Sequence, residues 1–234
     1  MALILNLETA TTVCSVALSE NGHLLALKEI NAGYTHAENL TVFIEEVMRE
    51  AGKKMPELEA VSVSKGPGSY TGLRIGVSTA KGICYGLNIP LIGISTLKSL
   101  TKKVLSDHRL LVTDHLLCPM IDARRLEVYC ALYDKELQEV AGIQAKIMDE
   151  RSFEEVLKTR MIYFFGDGAG KCKVMLAANP NARFIEDVHP SAAGMISFSE
   201  EAFRAGRFED TAYFEPYYLK DFVGGPVKRP PGIT

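Results

Sequence analysis

The sequence has no tryptophan and few residues suited to a metal site or to gripping nucleic acid. Its five histidines include no pair four residues apart. Its five cysteines include no C-x-x-C pair, so we expect reduced core thiols rather than disulfides or zinc ligands. The formal net charge is −3 and no long Lys/Arg block occurs. A protein that binds nucleic acid unaided is therefore not predicted.

Long hydrophobic runs are also missing. Residues 1–5 carry no basic start, and Asn6 and Glu8 interrupt the apolar run, which argues against a signal peptide or a membrane span. We therefore expect no membrane association and a cytoplasmic location. What the sequence does have is 47% hydrophobic residues in a chain of 234, enough for a sizeable buried core.

The first hundred residues alternate between two periodicities. Three short apolar runs separated by turn residues predict a strand meander at residues 2–7, 13–18 and 24–30. A capping box formed by Thr35 and Glu38 then precedes apolar residues at helical spacing. These patterns predict a βββα start.

Two further β/α units follow this start. The chain is predicted to form strands at 60–64 and 90–94, with a helix from the intervening glycine segment to about residue 87. The order βββαβαβα requires a mixed sheet with both hairpins and helical crossovers.

The second half is predicted to repeat this order more loosely. Strands are expected at 116–121, 126–133, 161–165 and 183–186, and helices at 152–158, 170–178 and 192–205. The fold class is therefore α/β, with two βββαβα-type lobes and mixed sheets. We expect an N-terminal lobe of residues 1–100 plus 206–222, a smaller lobe of residues 101–205, and a mobile tail at 223–234.

The segment Gly66-Pro67-Gly68-Ser69-Tyr70-Thr71-Gly72-Leu73-Arg74-Ile75-Gly76 lies between a predicted strand and helix. Glycines there could let helix N–H groups meet an anion. However, the spacing G-x-G-x-x-x-G matches neither the dinucleotide nor the Walker pattern. Small residues also recur every four positions into the helix, which predicts close approach of another backbone from the same chain or from another subunit.

This segment closely resembles the TsaB (YeaZ-like) family of tRNA threonylcarbamoyladenosine biosynthesis, part of the wider glycoprotease family. Further matching runs are spread over most of the chain: Leu7-Glu8-Thr9, His36, residues 121–125 with 127–129, Gly166-Asp167-Gly168, and Pro216-Tyr217-Tyr218-Leu219. The resemblance implies an actin/hexokinase-like (ribonuclease H-like) fold. It also implies a role beside TsaD, the catalytic subunit for threonylcarbamoyl transfer to adenosine 37 of tRNA.

The resemblance implies no catalytic residue and no metal in this chain. TsaD holds its metal with a His-x-x-x-His pair, and the corresponding positions here are Thr96 and Leu100, neither of which replaces an imidazole. ATP and metal are thus expected on partner subunits, with no cofactor of its own. The expected partners are TsaD and the ATPase TsaE, a second copy when the chain is alone, and tRNA only through the complex.

We predict that the first helix and the glycine helix form the partner interface. The predicted interface residues are His36, Leu40, Phe43, Val47, Ser69, Tyr70, Gly72, Leu73, Arg74, Gly76, Val77 and Ala80. Candidate vestigial nucleotide contacts, by analogy with actin-like enzymes, are Glu8, Thr9, Gly66, Gly68, Gly166, Asp167 and Gly168. The turn at residues 122–125 could bind phosphate, but a hairpin turn in which Asp122 accepts backbone hydrogen bonds is favoured.

Three other functions remain open from the sequence. An actin-like ATPase or sugar kinase would use Glu8 to orient a metal and the glycine turns to hold phosphate. A glycopeptidase would need a nucleophile and a base, yet neither Cys14 nor Ser69 has a histidine nearby in sequence. A homodimeric binding module would pair the small-residue helix with its own copy.

Overall fold

A computed structural model describes residues 2–33, 35–107 and 114–220. Its first sheet has the strand order β3-β2-β1-β4-β5, in which β1 pairs antiparallel with β2 and parallel with β4. This mixed sheet confirms the predicted meander followed by helical crossovers. The strands are β1 Leu3–Glu8, β2 Val13–Glu20, β3 His23–Asn31, β4 Ala60–Gly66 and β5 Leu91–Ser95.

The second sheet repeats this topology. Read from β8, its order is β8-β7-β6-β9-β10, with β6 antiparallel to β7 and parallel to β9. Strand β8 was not among the individually predicted elements, because much of this edge strand is exposed and its apolar alternation is weak. The strands are β6 Leu116–Asp122, β7 Glu127–Tyr133, β8 Glu139–Ile147, β9 Ile162–Phe165 and β10 Ala182–Ile185.

Helices cover the sheets in layers. Helices α1 and α2 pack on one face of the first sheet, and α6 packs on its other face. Helix α3 follows β5 but packs on the second sheet, so it joins the lobes, while α4 and α5 cover that sheet's remaining face. The helices are α1 His36–Glu50, α2 Tyr70–Leu87, α3 Thr96–Asp107, α4 Glu154–Leu157, α5 Ala169–Leu176 and α6 Ile196–Arg204.

The start of α1 differs from its predicted cap. Thr35 is the N-cap residue, but its side chain makes no capping hydrogen bond, so the predicted capping box is wrong. Its backbone carbonyl instead accepts from the N–H groups of Glu38 and Asn39. The amphipathic face therefore determines this helix more than its cap does, because Leu40, Ile44 and other apolar residues are buried against the sheet.

The residue boundaries of the two lobes remain a prediction, and the packing of the segment after β10 bears on them. Met195 and Ala202 lie in the same apolar cluster as Ile4 of β1 and Ile92 of β5. These contacts favour assigning the segment 192–204 to the N-terminal lobe rather than to the second. The predicted mobile tail at 223–234 lies outside the described residues.

All five cysteines are buried and none is disulfide-bonded, in agreement with the prediction of core thiols. Among the described helices, none is long and apolar enough to cross a membrane.

Candidate functional site: the glycine helix and the interlobe cleft

The loop after β1 is held directly against the start of α2. The Thr9 hydroxyl donates to the Gly72 carbonyl at 2.8 Å, and the Ser69 N–H donates to the Ala10 carbonyl at 2.7 Å. Thr9 and Ala10 are completely buried. Thr9 and Ala10 are therefore packed against the start of α2, while Ala10, Thr11 and Thr12 also line a cavity between the two sheets' lobes.

Gly68, just before α2, and Gly72 and Gly76 within it make this approach possible. A Cβ atom on Gly68 would lie 2.3 Å from the Ala10 carbonyl oxygen. A Cβ atom on Gly72 would lie 2.2 Å from the Thr9 carbonyl oxygen. On Gly76 it would lie 2.2 Å from the Thr9 hydroxyl oxygen. The close backbone approach predicted from the sequence is therefore made by the chain's own loop and not by a partner helix.

Gly66 packs against a different neighbour, the C-terminal segment at Tyr217. Its φ of +109° suits glycine, and a Cβ there would lie 2.9 Å from the Tyr217 carbonyl oxygen. The Tyr217 N–H in turn donates to the Lys65 carbonyl at 2.6 Å. The C-terminal segment, predicted only as an extended stretch, thus covers the glycine loop.

His36 supports the same loop from α1. Its side chain is buried, and its Nε2 lies 2.8 Å from the Thr11 carbonyl oxygen. Burial lowers the pKa of His36. In this position the imidazole holds the loop in place and is not presented to a partner.

Glu8, the candidate metal-orienting carboxylate, is completely buried at the end of β1. Its Oε1 accepts from the Ala10 N–H at 2.7 Å. Burial raises the pKa of Glu8 to about 7, although this hydrogen bond opposes the shift. The carboxyl is therefore shielded from solvent, which does not favour a role in orienting a solvated metal.

The second glycine turn is also packed against its own chain. Gly166 has φ +100°, and a Cβ there would lie 2.3 Å from the Met120 carbonyl oxygen. A Cβ on Gly168 would lie 2.9 Å from the Ile121 carbonyl carbon. Between them, Asp167 Oδ1 accepts from the Asp122 N–H at 3.1 Å. Of these three candidate nucleotide contacts, only Asp167 faces the cleft between the lobes.

The hairpin turn at residues 122–125 has the favoured structural form. Asp122 accepts the Arg124 N–H at 2.8 Å and also pairs with the Lys171 ammonium group. Arg124 and Arg125 both have positive φ angles, of 71° and 49°. Lys171 also donates to the Glu127 carbonyl, so it is engaged within the lobe and not presented to phosphate.

The twelve predicted interface residues divide into two groups. Arg74 is exposed, and Phe43, Ser69 and Tyr70 are partly exposed. The interface itself remains a prediction, and the structure narrows which side chains could contact a partner from the surface. The other eight are buried within this chain: His36, Leu40, Val47, Gly72, Leu73, Gly76, Val77 and Ala80.

The family model for TsaD, tRNA N6-adenosine threonylcarbamoyltransferase, matches residues 30–205 of the chain. A relative from Escherichia coli, the tRNA threonylcarbamoyladenosine biosynthesis protein TsaB, is 28% identical over 98% of each chain. The chain belongs to the TsaB (YeaZ-like) branch of this family.

Solved structures agree with this TsaB-type architecture. YeaZ from Pseudomonas aeruginosa aligns with a TM-score of 0.79 at 24% identity, over 94% of this chain and 100% of that one. An activator of 2-hydroxyisocaproyl-CoA dehydratase from Clostridium difficile, with bound ADPNP, aligns with a TM-score of 0.50 at 10% identity, over 88% and 96%. The predicted actin/hexokinase-like fold of two similar lobes is confirmed.

Within this TsaB-type fold, the positions matched to the TsaD histidines lie on α3. Thr96 is its first residue and Leu100 follows one turn later, and both side chains are completely buried. Leu100 packs with Leu97 and Phe165 in the apolar core between α3 and the second sheet. These positions serve packing in this chain. Among residues 2–33, 35–107 and 114–220, no cluster of His, Cys, Asp or Glu could hold a metal.

In the TsaB-type fold the two candidate peptidase nucleophiles have structural positions, one in the core and one at a helix cap. Cys14 is completely buried, and burial raises the pKa of its thiol to about 11. The Ser69 hydroxyl oxygen accepts from the Gly72 N–H and caps α2. A glycopeptidase therefore gains no support from these residues.

Proposed function

We propose that this chain acts in tRNA threonylcarbamoyladenosine biosynthesis as a non-catalytic partner of TsaD. Its similarity to the Escherichia coli TsaB protein along nearly the whole chain is the main support. The residues at the TsaD metal positions, Thr96 and Leu100, favour a role without catalysis. ATP, metal and chemistry would then reside on TsaD and TsaE, and tRNA would meet this chain only within their complex.

The docking surface we propose is the exposed side of α1 and α2. It presents Arg74 and the partly exposed Phe43, together with Val42, whose side chain is 46% exposed. Arg74 also lies 4.8 Å from the centre of the Tyr70 ring, which holds both side chains at the surface. Arginine and aromatic residues commonly dominate the energetics of protein interfaces.

Charge and polarity changes on this surface test the proposal. Arg74→Glu and Val42→Asp are each expected to weaken binding to purified TsaD by about tenfold or more, as measured by titration calorimetry. Gly72 and Gly76 do not suit this test, because their substitution would disturb the fold itself.

A matched control comes from the other lobe. Arg183→Glu makes the same charge reversal at an exposed position on β10 and should leave TsaD affinity unchanged. If both surface variants melt like the parent protein and bind TsaD with its affinity, this surface is not the interface.

We also propose that the chain forms a homodimer through the same surface when TsaD is absent. The two assemblies would then exclude each other, because an isologous dimer would cover the surface that TsaD needs. Sedimentation velocity with increasing TsaD should show the homodimer replaced by a heterodimer. A ternary species that retains the homodimer would contradict a shared surface.

A further inference from the structure

The cleft between the lobes contains a cavity of about 330 Å³. Its walls come from both lobes and from the C-terminal segment, with Tyr70 and Tyr218 on one side and Tyr129 on the other. The Tyr70 and Tyr218 rings contact each other with centroids 5.0 Å apart. The volume suits a small molecule, and the phenol rings offer apolar and cation-attracting faces.

Two of the four charged residues that line this cavity are already paired. Asp122 pairs with Lys171, and Lys220 pairs with Glu127. Two lining groups of opposite sign form no ion pair within the described part of the chain: the Asp167 carboxylate and the Arg124 guanidinium. Asp167 accepts one backbone hydrogen bond, which leaves its second oxygen for a ligand.

The surroundings of Asp167 favour a cationic neighbour. Although its side chain is accessible from the cleft, loss of hydration and the Asp122 carboxylate raise the pKa of Asp167, and the hydrogen bond from the Asp122 N–H, together with His189 and Lys171, only partly offsets this. A positively charged ligand group would stabilise the ionised carboxylate.

The same charges disfavour a polyphosphate. A nucleotide would bring several negative charges near Asp122 and Asp167, with only Arg124 left unpaired to receive them. Gly66 and Gly68 are packed against Tyr217 and Ala10, which leaves no room for side chains there, although Ala10, Gly68 and Ser69 also line the cavity. A ligand with one positive and one negative group matches the unpaired charges better.

We propose that the interlobe cleft binds a small zwitterion of the amino-acid class. Its ammonium group pairs with Asp167, its carboxylate with Arg124, and its side chain lies among the tyrosine rings. This binding belongs to the isolated chain and does not depend on a TsaD interface.

L-Phenylalanine is the probe, because its ring can contact Tyr70, Tyr129 and Tyr218. Binding to the full chain is followed by NMR line broadening of the ligand at about pH 6.5, where its amine is protonated. Phenylalaninamide lacks the carboxylate and N-acetylphenylalanine lacks the cation, and each is expected to bind about tenfold or more weakly. Stronger binding by either analogue than by the zwitterion, or binding by magnesium ATP alone, would overturn the assignment.

Three variants locate the site. Asp167→Asn and Arg124→Gln should each weaken L-phenylalanine binding by about tenfold, while the neighbouring Arg125→Gln should have no effect, because Arg125 does not line the cavity. Thermal melting confirms that each variant is folded. Equal losses in all three variants, no loss in the first two, or no detectable binding by the parent chain would each refute the proposal.

Discussion

Replacing Gly72 by alanine is expected to destabilise the protein by about 3 kcal/mol. The added methyl group would lie 2.2 Å from the Thr9 carbonyl oxygen, and this atom belongs to a buried backbone that cannot move aside cheaply. The Thr9 hydroxyl bond to the Gly72 carbonyl would be strained by the same shift. Urea unfolding should show a lower midpoint with an unchanged slope.

The same helix supplies a matched control. Gly82 lies on the exposed side of α2, and a Cβ there would meet no atom within 4 Å. Gly82→Ala should therefore stabilise the protein by about 1 kcal/mol through helix propensity. If Gly72→Ala also proves neutral or stabilising, the loop at Thr9 and Ala10 does not pack against α2 closely enough to exclude a methyl group.

The spacing of the glycines predicts that another backbone approaches the helix closely, but it does not identify that backbone. The four-residue spacing correctly predicted a helix face able to approach another backbone. It did not identify the neighbour, because Thr9 and Ala10 lie about sixty residues earlier and are brought to α2 by the parallel pairing of β1 with β4. A spacing pattern within one element holds no information about such a long-range contact.

Strand patterns in the sequence were informative where a strand is buried on both faces. Strands β1 and β4 are almost wholly buried and were recognised as short apolar runs. Strand β8 was missed because neither of its faces is fully covered and Gly142 interrupts it. It became recognisable only through its pairing with β7.

The cleft was the least predictable feature. The glycine turn predicts Asp167 as a candidate contact, and its side chain does line the cavity. The tyrosines that line this cavity come from α2, β7 and the C-terminal segment, which meet only when both lobes are assembled. The sequence predicts Arg124 only as a turn residue, and its place at the cavity is visible only in the folded structure.

Stability is expected to depend strongly on pH through Glu8. Burial raises its pKa from 4.5 to about 7, so the folded protein retains a proton that the unfolded chain loses over this interval. The corresponding stabilisation is fully present below about pH 4.5 and is lost as the pH rises through about 7. For a completely buried group, this shift corresponds to about 3 kcal/mol.

Glu8→Gln should remove this dependence. Glutamine can still accept the Ala10 N–H through its side-chain oxygen but does not ionise in this range. Relative to the parent, the variant should gain about 3 kcal/mol between about pH 5 and pH 8, as measured by urea unfolding at each pH. Glu45→Gln, on the exposed side of α1, serves as the control and should follow the parent profile.

Parallel profiles for the parent and Glu8→Gln would mean that Glu8 is already ionised in the folded protein. A counter-charge or solvent would then have to reach the end of β1, and the closed packing of Thr9 and Ala10 against α2 would have to open at neutral pH.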